Sequence, residues 1–250
     1  MYSIKYLAKI YHNHIYLLPV VYNSHKGVAG GWWIANERHL VSQVTGIPRT
    51  AVKSIVSEFA GVKLMSNLAF NAVRRSALNS QKFKYFLVLD FEATCERNTK
   101  LRPAEIIEFP VVKLNSQTLL QEGVFHHYVR PVFHPELTDF CTELTGIIQD
   151  MVDNQPRLEE VLQLFDEWLV KEKLTGTENT FSFVTCGDWD LRTMLPSQCR
   201  ELGIPVPHYF KQWINIKQTF QDVRGLFPHS LPHMLADLNL PLQGRHHSGI

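Results

Sequence analysis

Residues 85–94 read YFLVLDFEAT, and this stretch decides the fold. Five apolar residues lead directly into Asp90, and a second acid, Glu92, follows two positions later. A short apolar run bounded by polar residues predicts a buried strand, here over residues 85–90. Residues two apart on a strand point to the same face, so the two carboxylates lie side by side and repel each other. They therefore either face solvent, share a proton or hold a cation such as Mg²⁺.

The pattern beyond this stretch predicts a layered domain of strands and helices. Further strands are predicted over residues 106–114 and 123–129, and three successive strands indicate an antiparallel meander. Pro110 predicts a bulge or an edge position for the second strand. An apolar strand over 181–186 and four helical patterns follow, and together they favour an α/β or α+β three-layer domain with a mixed sheet. The helical patterns cover residues 142–145 (ended by Gly146), 158–170, 191–202 (ended by Gly203) and 231–238.

Charge is unevenly distributed along the 250 residues. Residues 1–80 hold nine basic and two acidic residues, a balance of +7, and the remainder balances at −6. The basic segment is interpreted as a weakly ordered extension, a mitochondrial targeting segment, or an arm that contacts a nucleic-acid backbone. Four cysteines without a C-x-x-C pair favour a reduced, intracellular protein of the cytoplasm or nucleus. No apolar run approaches the length of a membrane span, so no membrane partner is expected.

The predicted strand over 181–186 is also followed by acids, in the motif CGDWDL (residues 186–191). If this strand neighbours the first, Asp190 reaches the same sheet edge as Asp90. Asp188 competes for that role, and one of the two acids can be a helix N-cap instead. His247 is the candidate proton acceptor because a histidine near metal-held carboxylates can take a proton from water. The other histidines, His126 among them, have no comparable context.

Several motifs together resemble the DEDDh exonucleases, in the DnaQ-like branch of the RNase H-like fold. The motifs are DFEATCE (90–96), CGDWDL (186–191) and GRHHSGI (244–250). EIIEFPVVKL (105–114) and CTELTGIIQDMVD (141–153) are typical of one group, the enhanced-RNAi 3′–5′ exoribonucleases. The resemblance covers about residues 83–250. It implies an RNase H-like α/β domain with a mixed five-stranded sheet over residues 81–250, preceded by the 1–80 extension.

The resemblance also implies a mechanism. Two Mg²⁺ ions, or Mn²⁺, would lie about 3.5–4 Å apart and clamp the phosphate that is cleaved. Asp90 would bridge both ions, Glu92 would hold the ion that activates water, and Asp190 would hold the other. His247 would be the general base, and the product would be a 5′-mononucleotide released from an RNA 3′ end. Three residues beside the first motif would hold the terminal nucleotide: Phe91, Ala93 and Thr94.

The chain departs from the family pattern at its C-terminus. The family's third motif reads H-S-G-I followed by two acids, the second of which is the fourth metal ligand, whereas this chain ends at Ile250. The expectation is therefore a domain that lacks its last acid and its C-terminal helix. A catalytically impaired RNA-binding or interaction protein is the alternative to an active exoribonuclease.

Overall fold

A mixed β-sheet forms the centre of the part of the chain that the computed structural model describes, residues 81–176 and 180–241. The helices lie between and after its strands, and the α/β class predicted from the sequence is confirmed. The strands are β1 (Tyr85–Leu89), β2 (Glu92–Ala93), β3 (Ile106–Asn115), β4 (Gln121–Tyr128), β5 (Phe181–Thr185) and β6 (Trp213–Asn215).

The predicted meander is confirmed, because β3 pairs antiparallel with both β1 and β4. The sheet has six strands rather than five, since the short β2 also pairs with β3, with Glu92 opposite Glu108. β2 continues the line of β1 along β3 after a break at Asp90 and Phe91. The edge position predicted from Pro110 is wrong, because β3 lies inside the sheet. Continuing the β1–β3 register places Pro110 opposite Asp90, where β1 has ended and β2 has not begun, so a proline fits there.

The other half of the sheet is parallel. β5 pairs with β1 and β6 pairs with β5, each in the parallel direction. The carboxyl ends of these three strands therefore lie at one edge, and the residues that follow them meet there. We call this the carboxyl edge. Asp90 directly follows β1 at this edge, as Cys186 follows β5.

Helices cover both faces of the sheet. Leu87 and Leu89 of β1 pack in one core with Phe165 of the helix at Leu158–Lys171. On the other face, Ile107 packs with Cys141 and with neighbouring buried residues. This arrangement supports the predicted three layers. The helices are α1 (Asp139–Thr145), α2 (Gln149–Val152), α3 (Leu158–Lys171), a π-helix (Trp189–Met194), α4 (Leu195–Leu202), a 3₁₀-helix (His208–Lys211), α5 (Ile216–Arg224) and α6 (Leu231–Asp237).

Two predicted helix ends are confirmed by their glycines. Gly146 follows α1 with φ of 81°, and Gly203 follows α4 with φ of 68°. This left-handed conformation is one that residues with a side chain rarely adopt, so the glycines end the helices. The predicted run over 191–202 divides into a π-helix and α4. Within the described ranges, no helix combines the length and apolar character needed to cross a membrane.

Candidate active site

The acids of the two strand-end motifs meet at the carboxyl edge. Asp190, on the first turn of the π-helix, accepts a hydrogen bond on Oδ1 from the backbone N–H of Phe91, at 3.0 Å. This buried contact joins positions 99 residues apart and places Asp190 beside the residue that separates Asp90 from Glu92. Glu92 and Asp190 are 6% and 5% exposed, so both carboxylates are largely removed from water. The predicted convergence of the three acids is thus present in the fold.

The electrostatics of this group show how closely its members interact. Burial, followed by the charges of Asp190 and Glu108, raises the pKa of Asp90 well above its usual range. Burial and then Asp90, Glu108 and Asp190 raise the pKa of Glu92 to about 9. Burial raises the pKa of Asp190 to about 6, although the hydrogen bond from Phe91 opposes this rise. A group with these pKa values favours either protons or a cation at the same place.

Glu108 on β3 is a fourth carboxylate of this group, and sequence reasoning missed it. Its side chain is buried, and Oε1 lies 2.8 Å from Nε2 of His126 on β4. His126, for which the sequence offered no context, thus contacts this carboxylate. The His126 ring in turn lies edge to face against Tyr128, with centroids 5.0 Å apart. The cross-strand register decides these contacts, and a single sequence does not reveal that register.

The structure separates Asp188 from Asp190. The carboxylate of Asp188 faces β6, where Oδ1 accepts hydrogen bonds from Nε1 of Trp213 and Nδ2 of Asn215. Asp188 also precedes the π-helix, and its backbone carbonyl accepts from the N–H of Arg192. Asp190 is therefore the acid of this pair that joins the group at the carboxyl edge.

The three residues expected to hold the terminal nucleotide lie next to the acids, and all three are buried. Phe91 packs edge to face against Phe109, with ring centroids 4.8 Å apart. The hydroxyl of Thr94 accepts a hydrogen bond from the backbone N–H of Glu105. The side chains of Phe91 and Thr94 are thus engaged inside the fold, along with the buried Ala93. Contact of these residues with a nucleotide stays a prediction. Because the side chains are engaged elsewhere, such a contact would be made by backbone atoms.

Three further side chains lie at or near this edge. Trp189, directly before Asp190, is 48% exposed. Burial and the charge of Asp90 raise the pKa of the Cys186 thiol to about 12, and the ammonium of Lys217 opposes that rise. Lys217 lies in the first turn of α5, directly after β6. About half of the surface of Trp189 is therefore exposed next to Asp190 in the chain, and Lys217 brings positive charge near Cys186.

The chemistry of the donor set fits a hard divalent cation. Carboxylate oxygens are ligands that Mg²⁺ prefers, and Mg²⁺ usually keeps several waters instead of filling its sphere with protein ligands. Within residues 81–176 and 180–241, however, no group of three or more His, Cys, Asp or Glu side chains is arranged to hold a metal ion. The assignment of Asp90, Glu92 and Asp190 as ligands of such an ion therefore stays a prediction. His247 lies outside the described residues, so its predicted role remains a prediction.

Comparison with known proteins gives the relatives of this chain. The exonuclease family model of the RNase T type matches residues 87–250. "ERI1 exoribonuclease 3" of Homo sapiens is 56% identical over 171 residues, covering 68% of this chain and 50% of that protein. "3'-5' exoribonuclease 1" of Mus musculus is 36% identical over 215 residues, covering 83% of this chain and 59% of that protein. The chain spans about half the length of the curated relatives it matches first.

Solved structures give the same result for the fold. The nuclease domain of 3′hExo, a DEDDh family member solved with rAMP, has a TM-score of 0.60 and 37% identity, covering 66% of this chain and 84% of that one. Cell-death related nuclease 4 has a TM-score of 0.61 and 30% identity, covering 67% of this chain and 59% of that one. The RNase H-like DEDDh fold and the exoribonuclease group inferred from the motifs are confirmed, and this fold implies dependence on a divalent metal.

Proposed function

We propose that this chain, which belongs to the RNase T exonuclease family, is a metal-dependent 3′–5′ exoribonuclease. Within that family it belongs to the DEDDh exoribonucleases of the ERI1 type. Its substrate would be RNA with a free 3′ end, and its product a 5′-mononucleotide. The observation that carries the proposal is the buried contact between Asp190 and the Phe91 amide, which brings the strand-end acids together.

Three acids and the Phe91 amide at the carboxyl edge have proposed roles, and so does His247, which lies outside the described residues. Asp90, Glu92 and Asp190 hold divalent cations, for which Mg²⁺ is the first choice and Mn²⁺ the second. When bound, such ions supply positive charge to the phosphate and lower the pKa of a bound water. The Phe91 amide orients the carboxylate of Asp190. His247 accepts the proton of the attacking water.

The relatives and an exposed aromatic side chain support the proposed substrate class. A solved relative with 37% identity and a TM-score of 0.59 is a 3′-exonuclease in specific recognition of the 3′ end of a histone mRNA stem-loop. In this chain, Trp189 offers an exposed ring beside Asp190 on which a base can stack, as aromatic side chains do in single-strand binding sites. We infer that a single-stranded RNA 3′ end approaches the acids across this indole.

The test is a product assay on a single-stranded RNA labelled at its 5′ end. The chain with Mg²⁺ should shorten the labelled RNA one nucleotide at a time and release 5′-mononucleotides. Asp90→Asn should slow this reaction on the order of 10²–10³-fold, comparable to losing another group that stabilises transition-state charge. Asp237→Asn is the matched control, because Asp237 is an acid that pairs with Arg224 and follows no strand end. Absence of stepwise shortening of the labelled RNA, or equal rates from wild type and Asp90→Asn, would refute the proposal.

The alternative is a non-catalytic RNA-binding protein, and one observation favours it. With the pKa of Glu92 at about 9, the metal-free group carries less negative charge at neutral pH and repels RNA less than three ionised acids would. RNA binding that persists in EDTA, with no cleavage in Mg²⁺, would select this alternative. An equal DNA oligomer in both assays separates an RNA preference from general exonuclease activity.

A further inference from the structure

We propose that Asp188 is a positioning residue that fixes Asp190 at the carboxyl edge by tying the first turn of the π-helix to β6. The inference rests on the proposed function, because it assigns Asp190 a cation. Asp188 itself would contact neither the cation nor the RNA. Its effect would pass through the backbone that joins it to Asp190.

Both carboxylate oxygens of Asp188 are engaged. Oδ1 accepts from Nε1 of Trp213 and from Nδ2 of Asn215, each at 3.0 Å. Oδ2 lies 3.1 Å from the guanidinium of Arg192, one turn further along the π-helix. The side chain is 35% exposed, so the contacts to β6 are partly shielded from water. One residue thus joins the start of the π-helix to its own next turn and to the neighbouring strand.

The segment that carries Asp190 needs such a contact for two reasons. Gly187 precedes Asp188 with φ of 111°, a conformation that glycine adopts without strain but does not by itself hold. The π-helix that follows has a wider turn than an α-helix, and such turns are frequent at functional sites.

The partner side of the contact is well anchored. β6 pairs with β5 over three residue positions, which include Ile214 and Asn215. Asn215 is the N-cap of α5, and its Oδ1 accepts from the backbone N–H of Lys217 at 3.0 Å. The amide of Asn215 therefore contacts Asp188 through nitrogen while its oxygen caps a helix. Asp190 is thus held between two fixed points, β6 through Asp188 and the β1–β2 break through the Phe91 amide.

The experiment compares Asp188→Asn, Asp188→Ala and Trp213→Phe with wild type in the full chain. Asp237→Asn is again the control, because it removes an acid that pairs with Arg224 and is 30% exposed. The Mg²⁺ concentration that gives half-maximal RNA cleavage should rise roughly tenfold in Asp188→Ala, as for other residues that orient a ligand. Trp213→Phe, which removes one donor and keeps an aromatic ring, should show a smaller rise. Saturating Mg²⁺ should restore most of the rate.

A second readout needs no catalysis. The amide of Phe91 reports the place of the Asp190 carboxylate, because it donates to Oδ1. In NMR spectra of the metal-free protein, Asp188→Ala should shift this amide and speed its hydrogen exchange on the order of tenfold. Asp237→Asn should leave both unchanged. Asp188→Asn should fall between wild type and Asp188→Ala, because its side-chain oxygen can still accept from β6.

The outcomes separate the two proposals. A wild type without cleavage refutes the proposed function, and the Phe91 amide then still decides whether Asp188 positions Asp190. An active wild type with unchanged Mg²⁺ dependence in all three variants refutes the positioning role. A lower melting temperature with lower activity at every Mg²⁺ concentration, and an unmoved Phe91 amide, would show a general structural role and refute it as well.

Discussion

At the scale of single residues, the acids at the carboxyl edge are held in a state that opposes their ionisation. Each of Asp90, Glu92 and Asp190 has a raised pKa, with burial as the largest cause. A buried carboxylate without a cation is stabilised by a proton. The arrangement that we propose for a divalent ion therefore costs stability when no ion is bound and the pH is high.

Glu92→Gln should expose this cost in the metal-free protein. The pKa of Glu92 is about 9 against an ordinary value of 4.5, so its folded form favours the neutral acid. The stability that this preference contributes is fully present below about pH 4.5 and is lost as the pH rises towards 9. Wild type should therefore lose stability relative to Glu92→Gln across this window, on the order of a few kcal/mol by pH 9. Melting curves in EDTA at several pH values measure the difference.

The control for this measurement is Glu122→Gln, on the exposed start of β4. Mg²⁺ should narrow the difference between wild type and Glu92→Gln at high pH, because the cation binds the ionised carboxylates. Melting temperatures of wild type and Glu92→Gln that run parallel from about pH 5 to 9 would contradict the assignment of Glu92 to the group.

A second single-residue change, Trp189→Ala, should weaken RNA binding. Loss of one stacked base costs about 1–3 kcal/mol, so the dissociation constant for single-stranded RNA should rise about 5- to 150-fold. Trp189→Phe should keep most of the affinity. Phe227→Ala is the matched control, since Phe227 is a ring with 47% exposure against 48% for Trp189. Fluorescence anisotropy with Ca²⁺ in place of Mg²⁺ measures binding, and equal losses in both alanine variants would contradict a specific role for Trp189.

The sequence predicted Asp90, Glu92 and Asp190 because each follows an apolar strand, and that signal is local. It left Asp188 and Asp190 as alternatives, since a spacing of two residues does not say which side chain turns towards β6. Glu108 was missed because its relation to Glu92 depends on the pairing of two strands. The predicted nucleotide contact of Phe91 and Thr94 is limited to their backbone atoms, because their side chains make contacts inside the fold.

At the scale of elements, β3 is the strand on which the rest of the sheet is arranged. It pairs with β1, β2 and β4, and all but one of its ten residues are buried. One of those residues is Lys113, whose ammonium lies 2.7 Å from Oε2 of Glu172, just past α3. The same ammonium lies 4.4 Å from the centre of the Tyr85 ring. This ion pair connects the sheet to the end of α3.

Lys113→Met should destabilise the domain by about 2–4 kcal/mol, because it leaves Glu172 partly buried without its cation. Adding Glu172→Leu should recover most of the loss, since two apolar side chains can replace a buried ion pair. Arg97→Gln serves as the comparison: its pair with Glu143 is 60% and 72% exposed and should contribute less than about 1 kcal/mol. Urea unfolding followed by circular dichroism measures all three, and a double variant no more stable than Lys113→Met would contradict the argument.

The elements that the sequence predicted are those with strong periodic patterns, such as α3, or a glycine stop, such as α1 and α4. β6 was missed because three residues are too short for a strand pattern, and α5, which follows it directly, was missed as well. The division of residues 189–202 into a π-helix and α4 was missed because both have similar apolar spacing. The edge position predicted from Pro110 was wrong because the proline lies opposite the β1–β2 break, and that position depends on the pairing of β3 with β1.

At the scale of the whole molecule, the two charge regions predict separate tasks. The segment of residues 1–80 lies outside the described residues, and its boundary with the exonuclease domain stays a prediction. If its balance of +7 neutralises RNA phosphates, deleting it should flatten the dependence of RNA affinity on salt. The log–log slope should fall by about 0.7 for each phosphate that the segment neutralises. Titrations at several salt concentrations measure the slope.

A chain with Arg74→Gln and Arg75→Gln tests whether charge, instead of chain length, is responsible. This variant should give a slope between wild type and the deletion. An unchanged slope after the deletion would remove binding to the RNA backbone as the role of residues 1–80 and leave the targeting and extension interpretations.

The hydrogen bond between Phe91 and Asp190 has a consequence for synthesis of the protein. Its two ends are separated by 99 residues, and the parallel pairing of β1 with β5 brings them to one edge of the sheet. Pairings of such long sequence separation form slowly, because the loop between them must first close. A ribosome that has produced the chain only as far as α3 therefore carries half of the site. Asp190 can join Asp90 and Glu92 only after synthesis has passed the π-helix.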